Sequence, residues 1–132
     1  MESKKALAPS GSIEAAAAIR EALRNSIGNF VANSAIIFER FSTAPEAWKS
    51  ICKKKIAGYA QENLTRLEYM ALVLAESNYK EKISDFTAAL ESTLESSKGA
   101  KSIREALQTM DAGFSSALAI IDKGNKDLIF RR

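Results

Sequence analysis

Apolar residues recur three and four positions apart along nearly the whole chain, and this spacing constrains the fold more than any other feature of the sequence. The residues that share it form four stripes: Ile19, Leu23, Ile27, Phe30, Ser34, Ile37 and Phe41; Trp48, Cys52, Ile56, Tyr59, Asn63, Leu67, Met70 and Leu74; Ile83, Phe86, Leu90 and Leu94; Ile103, Leu107, Met110, Phe114, Ala117, Ile121 and Leu128. An average spacing of about 3.5 residues is typical of helices that pack along coiled-coil-like seams. The sequence therefore predicts an all-α protein.

We expect long helices bounded by turn and capping signals, near residues 12–42, 44–76, 78–97 and 102–130. Because the turns between them are short, the pattern predicts an antiparallel bundle of three to four long amphipathic helices. The stripe slips out of phase near Ser77, which indicates a break there or a kink within one long rod. Residues 1–11 are expected to form a flexible tail, and residues 12–132 a single helical domain.

Three of the helix starts carry the pattern of a capping box, in which a polar side chain and a glutamate three residues later cap backbone N–H groups reciprocally. The pairs are Thr43 with Glu46, Asn78 with Glu81, and Ser102 with Glu105. Gly99 precedes the last pair, and a glycine at this place is a common helix stop.

The charge and the residue content exclude several classes of function. With 19 basic and 16 acidic residues the net charge is +3, too small for a protein that holds nucleic acid mainly through its phosphates. The chain has no histidine and one cysteine, Cys52, so we expect no metal, no cofactor and no internal disulfide, as in a cytoplasmic protein. Neither a secretory signal nor a transmembrane segment is expected, because no apolar run approaches the ~20 residues that span a bilayer.

The sequence offers no catalytic motif either. Without histidine, proton transfer would fall to carboxylates, lysines, tyrosines or Cys52, and no recognisable spacing pairs them, so we do not expect an enzyme. Cys52 lies on the apolar stripe between Trp48 and Ile56, which indicates a small core residue. The alternative is a thiol activated by the lysines at 53–55. That lysine run is either a solvated helix face or a contact for anionic lipid or nucleic acid.

Some apolar residues do not fit the stripes. Each of them projects away from the seam of its own helix, toward the side where a solvated helix carries polar residues. These residues are Ile36, Tyr69, Leu72, Val73 and Ile120. Because they occur on three predicted helices, we expect them to meet apolar material outside the core of one monomer, and we predict that they form a partner-binding surface.

The segment AGYAQENLTRLEYMALVLAESNYKEKISDFTAALESTL, residues 57–94, resembles the central region of phasins, the helical proteins that coat bacterial polyhydroxyalkanoate granules. The resemblance lies in AQENL at 60–64, in the apolar ALVLA run at 71–75, and in Ser77, Glu81 and SDF at 84–86 followed by alanines. It covers under a third of the chain.

The resemblance implies a non-catalytic protein whose amphipathic helices lie on an apolar polymer surface, in the cytoplasm and at the surface of storage granules. We expect it to self-associate as a homo-oligomer, since seams with surplus apolar residues commonly find a second copy. The alternative is a helical protein–protein interaction module, such as a chaperone, an effector or an assembly subunit, that uses the same residues against a protein partner.

Overall fold

Five helices follow one another in the computed structural model, which describes residues 13–76 and 79–131, and their side chains except at 64, 65 and 123–131. They are α1 (Ile13–Glu39), α2 (Glu46–Gln61), α3 (Leu64–Leu74), α4 (Tyr79–Lys98) and α5 (Ile103–Arg131). No β-strand occurs in the described ranges, so the predicted all-α class is confirmed. The expected tail at 1–11 lies outside the described residues.

The predicted helix over 44–76 is wrong, because it is interrupted at Glu62 and Asn63. In a continuous helix the backbone N–H of Asn63 would donate to the carbonyl of Tyr59. Here the Asn63 side-chain amide donates to that carbonyl instead, over 2.7 Å, and the backbone N–H turns to the carbonyl of Ala60. A side chain that bonds to a backbone acceptor offers the chain an alternative to the helical hydrogen bond, and here this bond accompanies the helix break. The result is two shorter helices, α2 and α3.

The break expected near Ser77 begins slightly earlier. Helix α3 ends at Leu74, and Ala75 and Glu76 form a turn before α4 begins at Tyr79. Helices α3 and α4 are therefore separate helices and do not form one kinked rod. Ser77 and the predicted capping residue Asn78 lie outside the described residues.

The capping predictions have different outcomes. At the start of α5 the Ser102 hydroxyl accepts a hydrogen bond from the Glu105 N–H at 3.1 Å, which confirms the Ser102 half of the box; the Glu105 carboxylate accepts its hydrogen bond, at 2.9 Å, from the N–H of Lys101 one residue before the cap. The box predicted for Thr43 is wrong. The cap of α2 is Pro45, whose extended backbone (φ −58°, ψ 143°) moves the helix start to Glu46 and leaves Thr43 two residues upstream of the cap.

The predicted stripes supply the core. Nearly all their members with described side chains are buried, while Phe41, Trp48, Ile83 and Leu94 pack against the core half-buried. An aromatic stack joins α1, α2 and α5 at mid-height, with the Tyr59 ring 4.4 Å from Phe114 and 5.6 Å from Phe30 between centroids. A smaller cluster of Cys52, Ile103 and Leu107 adjoins the α1–α2 connection. Leu128 lies outside the described side chains.

Helices α4 and α5 approach most closely at Gly113. A Cβ atom at this position would overlap the side chain of Thr93, which is itself held by a 2.9 Å hydrogen bond from its hydroxyl to the Ala89 carbonyl. At Gly28 of α1, in contrast, a Cβ atom would meet no other atom within 4 Å. An alanine would therefore clash with a neighbouring helix at Gly113 but would fit without a clash at Gly28.

We expect Gly113→Ala to lower the free energy of unfolding by up to ~2 kcal/mol, because overpacking typically costs ~1–3 kcal/mol, from which the ~1 kcal/mol that alanine gains in a helix is subtracted. The matched control Gly28→Ala has only the propensity gain and should raise the free energy of unfolding by up to ~1 kcal/mol. Urea denaturation followed by circular dichroism measures both. Equal effects of the two substitutions would contradict the close α4–α5 contact.

Candidate apolar interaction surface

The five predicted surface residues differ in exposure. Leu72 is 61%, Ile36 60% and Tyr69 55% exposed, whereas Val73 and Ile120 are half-buried. Exposure of a single large apolar residue is common on any protein surface. What matters is which of the five lie together.

Helix α3 presents two different faces. Leu67, Met70, Ala71 and Leu74 are buried against the core. A helix turns by about 100° per residue, which places Tyr69, Leu72 and Val73 on the side turned away from that core face. We call these three residues the α3 outer face. Because they are spaced i, i+3 and i+4, they are neighbours on one helix surface.

Ion pairs on both flanks hold α3 in this orientation. On one flank Glu68 accepts hydrogen bonds from Arg20 and Arg24 of α1, at 3.3 and 3.1 Å. On the other flank Arg66 donates to Asp122 of α5. These pairs are partly exposed, so each contributes at most about 1 kcal/mol to stability, but together with the buried face they determine which side of α3 points outward.

The structure places Ile36 away from the α3 outer face. Ile36 lines a groove of about 440 Å³ between α1 and α4, beside Leu94, Glu91 and Glu95. Ile120 lies on α5 and is half-buried. The predicted five-residue set therefore contains one cluster of three residues on α3, a separate Ile36, and Ile120 on α5.

Two exposed apolar residues were not predicted. Ile13, at the start of α1, is 85% exposed, and Ile51 on α2 is 42% exposed. Both lie off the heptad-like stripes, which is the signal that identified the other five. Ile51 is the more informative of the two, because it is next to the lysine run at 53–55.

A second candidate region lies where α2 meets α5. The Tyr59 hydroxyl donates a hydrogen bond to one carboxylate oxygen of Asp111, and the Lys55 ammonium lies 3.6 Å from the other. Burial raises the pKa of Tyr59, and the hydrogen bond to Asp111 adds to the rise, so the phenol stays protonated at neutral pH. This arrangement joins α2 to α5, and the carboxylate beside the phenol already accepts its hydrogen bond.

Cys52 is buried close to the same carboxylate. Burial raises the pKa of its thiol, and the negative charge of Asp111 raises it further. An activated thiol needs the opposite shift. The geometry therefore favours the core role for Cys52 over the reactive one. Among the described residues, no group of three or more histidine, cysteine or acidic side chains is arranged to hold a metal ion.

A groove of about 600 Å³ lies between the end of α1 and the start of α2. Its apolar floor includes Phe38, Phe41 and Ile56. Acidic and basic side chains both reach its rim, and the Lys49 ammonium is already bonded to the Ser42 carbonyl at 2.6 Å. The rim therefore does not select a ligand of either charge.

No family model, no curated protein and no solved structure matches this chain. In the part of the chain that the structure describes, no helix combines the length and the apolar content that crossing a membrane requires.

The state of Cys52 can be measured directly. Because the thiol is buried and its pKa is raised, we expect it to react with a disulfide reagent at pH 8 at least about a hundred times more slowly than free cysteine. Urea above the unfolding midpoint should restore the full rate. A native rate close to that of free cysteine would contradict the core role.

Proposed function

We propose that this chain is a non-catalytic coat protein that adsorbs to an apolar polymer surface through the α3 outer face. The observation that carries the proposal is that Leu72 and Tyr69 are both more than half exposed, one helical turn apart, on a helix whose core face is fully buried. The intracellular polymer that fits the resemblance of residues 57–94 to phasins is the polyhydroxyalkanoate granule. The hydrophobic surface of such a granule would cover the exposed apolar parts of Leu72 and Tyr69.

We further propose that the helices form an antiparallel bundle of four columns, with α2 and α3 as one interrupted column. Contacts along α1 support opposite directions for α1 and this column, since Phe30 meets Tyr59 whereas the earlier Arg24 meets the later Glu68. Other pairs support a common direction for α1 and α4. Ser26 bonds to Thr87, and the later Arg40 bonds to the carbonyl of Lys98.

The contacts of α5 complete this proposal. Tyr59 of α2 bonds to Asp111, and the later Arg66 of α3 bonds to the later Asp122, which supports a common direction for the interrupted column and α5. In such a bundle the column α2–α3 lies against α1 and α5 on one side and faces outward on the other. Adsorption through the outward side requires no unfolding.

The expected binding energy is small for each chain. Burying a leucine completely is worth ~2 kcal/mol, and the exposed parts of Leu72 and Tyr69 supply a few kcal/mol together. This is enough for reversible adsorption of one copy. Several copies in one oligomer would bind the same particle much more tightly. Once one copy is bound, the oligomer holds the remaining copies close to the surface at a high effective concentration.

The adsorption proposal is tested by a pair of matched substitutions. We expect Leu72→Ser to reduce partition onto oil droplets or polyester granules about tenfold, because it removes the most exposed aliphatic side chain of the α3 outer face. Ile36→Ser removes a similarly exposed side chain from the α1–α4 groove and should leave partition within about twofold of the parent. Flotation measures both, and circular dichroism checks that the helices persist.

The outcomes separate the alternatives. An equal loss for both variants would mean that adsorption is a general property of the surface, and the α3 outer face would lose its special role. A parent protein that ignores apolar particles but captures one protein partner would replace the coat proposal with the helical interaction module.

Self-association is a separate part of the proposal. The exposed apolar residues lead us to expect oligomers in sedimentation equilibrium at about 0.1 mM, with a mass that falls on dilution. A strict monomer up to about 1 mM would contradict self-association. That result would leave adsorption of the monomer to be judged by flotation alone.

A further inference from the structure

The most concentrated basic surface of the described chain lies on α2. Lys53, Lys54 and Lys55 are all exposed. Lys55 is close to Asp111, whereas among the side chains that the structure describes no carboxylate lies within ion-pair distance of Lys53 or Lys54. Two neighbouring ammonium groups are thus available to an external anion.

Apolar side chains accompany these lysines. Ile51 is 42% exposed on the same helix. One turn before it, Trp48 is half-buried, with the Arg104 guanidinium 5.8 Å from the centre of its ring. We call Ile51, Lys53 and Lys54 the α2 basic patch. Lysines beside exposed aliphatic and aromatic side chains are typical of helices at a lipid–water interface, where the ammonium groups reach lipid head groups and the apolar parts enter the acyl boundary.

The α2 basic patch and the α3 outer face lie on the same side of the protein. Helices α2 and α3 both contact α1 and α5, so their outward sides face away from the same two helices. At about 100° per residue, Lys54 lies about 160° from the buried Cys52, and Tyr69 lies about 160° from the buried Leu67. Ile51 and Lys53 lie on the two flanks of α2, each about 100° from Cys52 and both exposed. A surface that contacts Lys54 therefore also faces Tyr69, and the long side chains of Ile51 and Lys53 reach it from the flanks.

We propose that the target surface is an anionic lipid interface, with Lys53 and Lys54 on the head-group phosphates while Ile51 and the α3 outer face enter the apolar layer. The proposal rests on the coat function proposed above and adds that an anionic lipid layer covers the apolar particle where the chain adsorbs. The positive charge of the lysines favours an anionic lipid. The apolar residues on the same side favour a lipid over nucleic acid, because contact with a phosphate backbone would not remove Tyr69 and Leu72 from a polar environment.

The test compares vesicles of neutral phosphatidylcholine with vesicles that contain about one quarter anionic phosphatidylglycerol. The parent should partition more strongly onto the anionic vesicles. The variant Lys53→Gln/Lys54→Gln should lose about fivefold for each lysine, roughly thirtyfold in total, on anionic vesicles only. The control Lys80→Gln/Lys82→Gln makes the same charge change on α4 and should stay within about threefold of the parent.

Salt provides a readout that needs no variant. At about 1 M salt the Debye length falls to about 3 Å, so the preference of the parent for anionic vesicles should disappear while its binding to neutral oil droplets persists.

Glutamine is a good helix former, so the lysine-to-glutamine substitutions should keep the fold, and circular dichroism checks this.

Each outcome decides between the two proposals. Equal binding to neutral and anionic vesicles, or an equal loss in the α4 control, would overturn the lipid proposal while flotation with oil droplets would still support the coat function. Binding to neither vesicles nor droplets would overturn both. Tighter binding to a DNA or RNA duplex than to anionic vesicles would also overturn the lipid proposal and assign the α2 basic patch to nucleic acid.

Discussion

An eleven-residue helix held by two neighbours can bury only one of its faces, and this constraint on α3 underlies the proposed function. Leu67, Met70 and Leu74 fill the face between α1 and α5, and no described helix covers the opposite one. In a solvated helix polar residues would occupy that opposite face. Here Tyr69 and Leu72 occupy it. Their exposure to water is unfavourable in free energy, because water orders around apolar surface.

The position of α3 depends on how the preceding column ends. The aromatic stack of Phe30, Tyr59 and Phe114 joins α2 to α1 and α5, and directly after it α2 ends, where the side-chain amide of Asn63 bonds to the carbonyl of Tyr59. Helix α3 then begins as a separate unit. Its orientation follows from its own buried face and from the ion pairs of Glu68 and Arg66 rather than from the direction of α2.

The sequence predicts the class of this fold well, because the spacing of apolar residues reports directly which side of each helix is buried. It predicts helix ends less well. Asn63 fits the apolar stripe by position, and nothing in the stripe indicates that its amide would compete for a backbone carbonyl. Thr43 fits a capping box by spacing, yet the extended Pro45 moves the helix start beyond its reach.

The candidate surface is predicted only in part, for a related reason. Distance from a seam tells which residues leave the core, and this identified Leu72 and Tyr69. It does not tell which helices stand next to each other, so the pattern groups Ile36 with α3 residues although Ile36 lies in the groove between α1 and α4. The lysines beside Ile51 are typical of a solvated face, and only the exposure of Ile51 in the folded chain distinguishes it.

The central claim is that the α3 outer face touches the apolar particle, and an environment-sensitive fluorophore tests this most directly. Because Cys52 is buried, a label attached to Leu72→Cys or to Ile36→Cys reports its own position. The account predicts a blue shift of the emission when apolar droplets are added to protein labelled at position 72, and little change for protein labelled at position 36. A protein that floats with the droplets while the label at position 72 stays in water, or shifts no more than the label at position 36, would contradict it.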